Sequence, residues 1–189
     1  MVDDAHSVGV LGGGKGTGVH LGVNDDVDLV MGTFSKSFAS LGGFIAGSEP
    51  VIHYIQHHAR SLIFSASMPP GNVAAVSAAL DVIIEEPERI QRVNEIGERM
   101  RRELQQMGFN TGDSQTPIIP IIIGDDMPTF MVWKALYQAG VYTNPVIPPA
   151  VPPSMSLLRT SYMATHTKDQ LSKALSILET VGKRMDIIS

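Results

Sequence analysis

Apolar positions along this chain recur with two different periods, and the switches between them divide it into elements. The short runs "VDLVMGTF" (27–34) and "GGFIAG" (42–47), bounded by Asp and Gly, predict buried strands. Between Glu49 and Leu62, Val51, Ile52, Ile55 and Ala59 fall at helical spacing. "SLIFSAS" (61–67) predicts an extended segment that Pro69 and Pro70 stop, and "NVAAVSAALDVII" (72–84) resumes the helical period. Val2 runs straight into an acidic turn, so a strand ahead of Asp3 is almost absent.

Pro87 suits the first turn of a new helix, where its missing N–H costs nothing. That helix carries an apolar stripe at Ile90, Val93, Ile96, Met100, Leu104 and Met107 and stops at Gly108. Its outer face pairs Glu88 with Arg92, Glu95 with Arg99 and Glu98 with Arg102 at i,i+4, which reads as a solvated face. "PIIPIII" (117–123) predicts a strand, "MPTFMVWKALYQAG" (127–140) a helix ending in Gly, and "SLLRTSYMA" (156–164) a strand. "VYTNPVIPPAVPP" (141–153) is too rich in Pro to be helical and reads as a connection. Thr167 and Gln170 form a capping box ahead of a last helix, buried through Leu171, Leu175, Leu178 and Val181. The order of elements is α/β through residue 86, then a smaller α+β unit over 87–189, with a hinge near 85–90.

Composition narrows the function classes. The 189 residues are 43% hydrophobic and 17% charged, enough apolar material for a core. A net charge of −5 argues against a nucleic-acid surface, which needs clustered Lys and Arg. Without cysteine there is no disulfide scaffold, zinc–thiolate site or thiol nucleophile. No apolar run reaches the roughly 20 residues that span a bilayer, and "MVDDAHS" is not a secretory signal, so the expected location is cytoplasmic. His57 and His58 end a surface helix and point apart, which is no metal site, and Trp133 shares helical spacing with Phe130 and Leu136 as a core residue.

Three stretches carry candidate chemistry. "GVLGGGKGTG" (9–18) fits most of the phosphate-loop pattern, yet Gly16 stands where that pattern needs a hydroxyl for magnesium, and three glycines make a poor helix opening. A flexible glycine connection beside a site is the better reading, with nucleotide binding as its rival. In "GTFSKSFASLGG" (32–43), Lys36 follows an apolar strand among Thr33, Ser35 and Ser37, whose hydroxyls suit a phosphate. A lysine amine forms a Schiff base with a carbonyl once burial or nearby positive charge lowers its pKa. "DDAHS" (3–7) places Asp3 and His6 just after a strand end. A carboxylate for a protonated pyridine nitrogen, an imidazole and a Schiff-base lysine, all at strand ends, are the parts of a pyridoxal phosphate site.

"DDAHSVGVLG", "GTFSKSFASLGGFIAG", "FSASMPP" and "LLRTSYMATHT" together resemble the α-oxoamine synthases, in order and across essentially the whole chain. These are fold-type I pyridoxal-phosphate enzymes that condense an amino acid with an acyl-CoA and release CO₂ and CoA. Within that group, "HHARSLIFSASMPP", "TPIIPI" and "NPVIPPAVP" look most like the serine palmitoyltransferase type. Glycine C-acetyltransferase and 8-amino-7-oxononanoate synthase chemistry are the alternatives.

The resemblance implies a fold and a set of roles. Residues 1–86 would be the C-terminal part of a large cofactor domain, a mostly parallel sheet with helices, and 87–189 the small α+β C-terminal domain. Asp3 matches the aspartate that pairs with the pyridine nitrogen, and His6 the catalytic histidine beside the ring. Thr33 matches a phosphate ligand, and Lys36 the lysine that attaches the cofactor and moves protons. Arg159 matches the arginine that holds the amino-acid carboxylate, a task suited to its planar fork. Ser65 and Ser67 lie in the segment that reaches the phosphate of a neighbouring subunit, which implies a homodimer with a shared active site. Ala66 stands where many relatives have Thr, and Lys15 where the family has Arg between glycines. Relatives carry roughly as much chain again before "DDAHS". The expectation is therefore the C-terminal half of such an enzyme, whether fragment, truncated frame or split chain, with a non-catalytic assembly role as the rival.

Overall fold

Val2–Asp3 (β1) pairs in parallel with Leu29–Thr33 (β2), Val2 opposite Val30 and Asp3 opposite Met31, in the computed structural model, which describes residues 1–189. A parallel pair needs a crossover. Residues 4–28 supply it and include the short helix Thr17–Leu21 (α1). Gly43–Gly47 (β3) lies antiparallel on the other side of β2, with Leu29 opposite Gly47 and Thr33 opposite Gly43. This three-stranded sheet is thus mixed: the 34–42 turn returns without a crossover helix, and a direct return pairs antiparallel.

Glu49–His58 (α2), Arg60–Ile63 (α3) and Pro70–Glu85 (α4) follow. The extended segment expected from residue 61 begins later than that. Ala59 leaves the helical region (φ −74°, ψ 104°), after which Ile63 N–H bonds the Ala59 carbonyl (3.0 Å) and Phe64 N–H that of Arg60 (2.9 Å), making one more turn. No neighbouring strand edge competes for those groups, so local bonds satisfy them. None of α2, α3 or α4 has a buried residue, and Phe64 is 83% exposed. His57 and His58 stack on His53 and Tyr54, one helical turn back, and no cluster of His, Asp and Glu is placed to hold a metal ion.

Pro87–Gln106 (α5), Ile118–Gly124 (β4), Asp126–Gln138 (α6), Asn144–Val146 (β5), Ser156–Ser161 (β6) and Lys168–Arg184 (α7) complete the chain. The chain forms two compact units, Met1–Gln91 and Arg92–Ser189. In the second, β6 is central between antiparallel β4 and β5. Both prolines in these strands, Pro120 and Pro145, sit on edges, where a missing donor is tolerated. β5 lies inside the Pro-rich stretch expected to be a mere connection, because three residues containing Pro give no strand signal. The core combines Ile96, Met100 and Leu104 of α5, Ile119 and Ile121 of β4, Leu136 of α6, Leu158 of β6 and the Leu171–Val181 stripe of α7. Trp133 packs partly buried against it. Arg92 and Arg99 are not simply solvated: Arg99 Nη2 donates to Ser172 Oγ (3.0 Å) and Arg92 Nη2 to the His166 carbonyl (3.4 Å), tying α5 to the start of α7. No helix is long and apolar enough to cross a membrane.

Both halves of the capping box are present: Gln170 N–H donates to Thr167 Oγ1 (3.2 Å) and Thr167 N–H to Gln170 Oε1 (2.9 Å). Thr167→Ala should cost about 1 kcal/mol, read as a lowered urea midpoint with an unchanged m-value. Just past β6, the Tyr162 hydroxyl is buried next to the Thr160 hydroxyl, which itself donates to the Ile119 carbonyl (2.8 Å). Burial pushes the phenol from 10.0 up to about 12. Between those values the unfolded chain has lost a proton that the folded chain keeps, so stability should fall as pH rises from 10.0 to about 12. Tyr162→Phe should abolish that alkaline decline in denaturation free energy measured against pH, without destabilising the protein at neutral pH.

Candidate active site

Parallel β1 and β2 end on the same side, and ligands of open α/β sheets bind outside the carboxyl ends of such strands. Asp3 is the last residue of β1 and Thr33 the last of β2. The turns that follow carry His6 and Lys36, so four of the expected site residues gather at one sheet edge. Asp3 is exposed, and its Oδ1 accepts the Ala5 N–H (3.0 Å), an Asx-type bond that orients the carboxylate. Thr33 Oγ1 sits 3.1 Å from Ser35 Oγ and donates to the Gly42 carbonyl (3.2 Å), placing two hydroxyls together next to Lys36.

The Lys36 turn is shaped by what it buries. Phe34 and Phe38 point inward and meet edge to face at 5.3 Å, and Phe34 stacks on Phe44 at 5.7 Å. With both flanking rings committed to the interior, Lys36 is left exposed between them. Ser40 N–H closes the turn onto the Phe34 carbonyl (2.7 Å), and Ser40 and Asn72 exchange hydrogen bonds that tie it to α4. Ser37 does not present a free hydroxyl to a phosphate. It donates to the Val8 carbonyl (2.8 Å), which joins the Lys36 turn to the turn bearing His6. The two approach closely at Gly9 (φ +81°), where a Cβ would stand 2.7 Å from Ser37 Cβ.

The glycine run is folded on itself rather than an open flexible connection. Gly9 N–H bonds the Gly14 carbonyl (2.9 Å), Gly14 and Gly16 N–H groups both reach Leu11 (2.9 and 3.0 Å), and Val8 bridges Lys15. The helix that follows spans only Thr17–Leu21. Sequence reasoning passed over Asp4, which is 2% exposed and accepts the Thr17 N–H on both carboxylate oxygens (3.0 and 3.2 Å). The signal was available in the two-residue period of a strand, which sends consecutive residues to opposite faces.

The remaining expected residues belong to other elements. Ser65 and Ser67 are exposed in the irregular segment between α3 and α4, and no hydrogen bond links them to Thr33 or Lys36. Arg159 belongs to the second unit, at the middle of β6, opposite Pro120 and Asn144. Its neighbours Leu158 and Thr160 are buried in that unit's core, so alternation puts Arg159 on the sheet's other face. An open concavity of about 460 Å³ in the same unit is lined by Pro148–Pro153, side chains with no acid, base or nucleophile.

The donor set at the β1–β2 edge fits pyridoxal phosphate. An oriented carboxylate suits a pyridinium nitrogen, paired hydroxyls suit a phosphate, and an exposed lysine amine suits an aldehyde.

A family model described as "Aminotransferase class I and II" matches residues 1–178. The chain is 50% identical over 190 residues to a protein named serine palmitoyltransferase from Sphingobacterium spiritivorum, covering 100% of this chain and 48% of that one. It is 44% identical over 188 residues to a putative 8-amino-7-oxononanoate synthase from Halalkalibacterium halodurans, covering 97% and 48%. Its structure resembles that of a serine palmitoyltransferase variant from S. paucimobilis with a bound PLP–myriocin aldimine, with a TM-score of 0.94 at 32% identity over 99% of this chain and 48% of that one. The α-oxoamine synthase resemblance is borne out by these names, and the chain spans about half the length of the curated relatives it matches.

If the Ser37 bond holds the two site turns together, Ser37→Ala should cost about 0.5–1.5 kcal/mol. It should also speed amide exchange over residues 8–11 while leaving that of α7 unchanged, measured by hydrogen exchange with mass spectrometry.

Proposed function

This chain belongs to the aminotransferase class I and II family, and from that premise we propose that it is the lysine-bearing part of a pyridoxal-phosphate-dependent acyltransferase. The reaction is the decarboxylating condensation of an amino acid with an acyl-CoA, of the serine palmitoyltransferase type. The observation that carries this reading is Lys36, held outward by two buried phenylalanines in the turn after β2, whose carboxyl end points the same way as that of its parallel neighbour β1, which ends at Asp3. When bound, pyridoxal phosphate supplies an electron sink for negative charge at the amino-acid α-carbon.

The residues of this chain do the rest. The Lys36 amine would hold the cofactor through its aldehyde and, once freed, would take the proton from the substrate's α-carbon. The Asp3 carboxylate keeps a ring nitrogen protonated by accepting its N–H. His6 would stand beside the ring, and Thr33 Oγ1 would turn its proton from the Gly42 carbonyl to the phosphate. Ser65 and Ser67 reach the phosphate across a homodimer interface, and the Arg159 guanidinium grips the amino-acid carboxylate with two parallel N–H bonds. Residues 1–86 belong to the large cofactor domain and 87–189 to the small one, and the enzyme works in the cytoplasm.

One specific observation favours a second reading. α2, α3 and α4 bury no residue, and Leu62, Phe64, Leu80 and Ile84 are all exposed. Surface of that kind is covered in an assembly, which supports a chain that acts only together with further polypeptide and contributes to assembly even without turnover.

Incubation with pyridoxal phosphate, borohydride reduction and peptide mass spectrometry should place the pyridoxyl group on Lys36, and Lys36→Ala should remove it. Label on another lysine, or equal labelling of the variant, would reject the assignment. In an assembled enzyme, turnover of serine with palmitoyl-CoA over alanine or glycine separates this reading from the synthase and acetyltransferase alternatives. Arg159→Ala should raise the KM for the amino acid while leaving that for the thioester unchanged.

A further inference from the structure

Two acidic residues stand side by side at the end of β1, and only the first faces the site. We propose that the second, Asp4, is a positioning residue: its buried carboxylate locks the glycine run beneath the turn that presents Asp3 and His6. The cofactor part of this inference rests on the function proposed above.

Every polar group of Asp4 is used, and each bond reaches a different segment. Its N–H donates to the Met31 carbonyl (2.7 Å), extending the β1–β2 pairing by one residue. Its carbonyl accepts the N–H groups of Ser7 (3.0 Å) and Val8 (3.2 Å), which folds the turn around His6. Its side chain accepts the Thr17 N–H, thirteen residues on, with both oxygens. Thr17 Oγ1 donates to Ser7 Oγ (2.7 Å), a second link between the same two segments.

The start of α1 explains why the carboxylate comes from so far away. The N-cap residue is Gly16, which has no side chain to accept an orphan N–H. A Cβ on Gly16 (φ +101°) would lie 2.2 Å from Asp4 Oδ2, so a residue with its own capping side chain does not fit there. Gly16 and Asp4 are therefore a matched pair, the glycine yielding the space and the aspartate supplying the cap. A buried carboxylate is costly unless hydrogen-bonded, and its one direct side-chain bond runs to the glycine run. Loosening that bond releases the turn at Ser7 and Val8, and with it the Asp3–Ala5 bond that aims the site carboxylate.

The test is amide NMR of the chain without cofactor, in Asp4→Ala, Asp4→Asn, Thr17→Pro and Thr17→Val. Thr17 is the first helical residue, where proline is accommodated, so Thr17→Pro deletes the N–H donor, together with the Thr17–Ser7 hydroxyl bond, and leaves Asp4 in place, while Thr17→Val deletes the hydroxyl bond alone and should leave the Ala5 and His6 signals unmoved. Asp4→Ala and Thr17→Pro should each shift the Ala5 amide and the His6 ring resonances, and Asp4→Ala should speed Thr17 exchange by about tenfold or more. Asp4→Asn keeps an acceptor oxygen and should restore the Ala5 and His6 resonances. If Thr17→Pro or Asp4→Ala folds with unmoved Ala5 and His6 signals, the positioning role is wrong. In the cofactor-loaded chain, Asp4→Ala should move the pH midpoint of the visible band in the same direction as Asp3→Asn, and an unmoved midpoint overturns the proposal for the cofactor site. If the unaltered chain shows no Lys36-dependent band, the proposed function fails, while the NMR result still decides whether Asp4 positions Asp3 and His6.

Discussion

Val2 and Asp3 pair in parallel with Val30 and Met31, and Asp4 adds one more backbone bond to the Met31 carbonyl. Those few contacts bring two segments nearly thirty residues apart side by side with their carboxyl ends together. Everything proposed for the site depends on this alignment. Asp3 and Thr33 terminate the two strands, and the turns beyond them carry His6 and Lys36. A register slip of one residue would turn Asp3 inward and Asp4 outward, exchanging the solvent-facing carboxylate for the buried one.

So short a pairing needs support from its flanks, and the structure provides it by joining loops rather than by a deep core. Ser37 ties the lysine turn to Val8, Asp4 and Ser7 tie the first turn to Thr17, and Ser40 with Asn72 ties the lysine turn to α4. The phenylalanine cluster of Phe34, Phe38 and Phe44 is the main apolar anchor of the lysine turn. The second unit is built differently, with a continuous core from four elements around a central strand. Side-chain hydrogen bonds can hold a site in geometry at small net free energy, whereas burial of apolar surface stabilises a unit as a whole. The contrast accords with helices α2 to α4, which bury no residue and expose apolar surface.

Where a signal is periodic and local, it was readable in advance. The α5 stripe, the α7 stripe with its capping box, and the four predicted strands at 27–34, 42–47, 117–123 and 156–164 depend on side chains a few residues apart. The family was legible for a related reason: "DDAHS" and "GTFSKS" combine chemically specific residues at fixed short spacings. β5 escaped notice because its pairing partner, not its own three residues, makes it a strand. The turn at Arg60–Ile63 escaped because an apolar run without alternation is as compatible with a helical turn as with an extended segment.

The amino-acid sequence alone determined most of the element types, the family and the identities of Asp3, His6, Thr33 and Lys36 as chemically apt groups, since residue type and local spacing carry that information, while Arg159 entered only through the family resemblance. Tertiary structure decided which of them share a sheet edge. It also decided that Ser37 is a tie rather than a free donor, and that the glycine run is a packed connection whose space Asp4 fills. The physical reason is that a hydrogen bond between residues thirteen or twenty-nine apart leaves no period in the chain. The Ser37–Val8 bond exists only once the β1–β2 pairing has brought its two ends together, and the Asp4–Thr17 bond only once the glycine run has folded back on the end of β1.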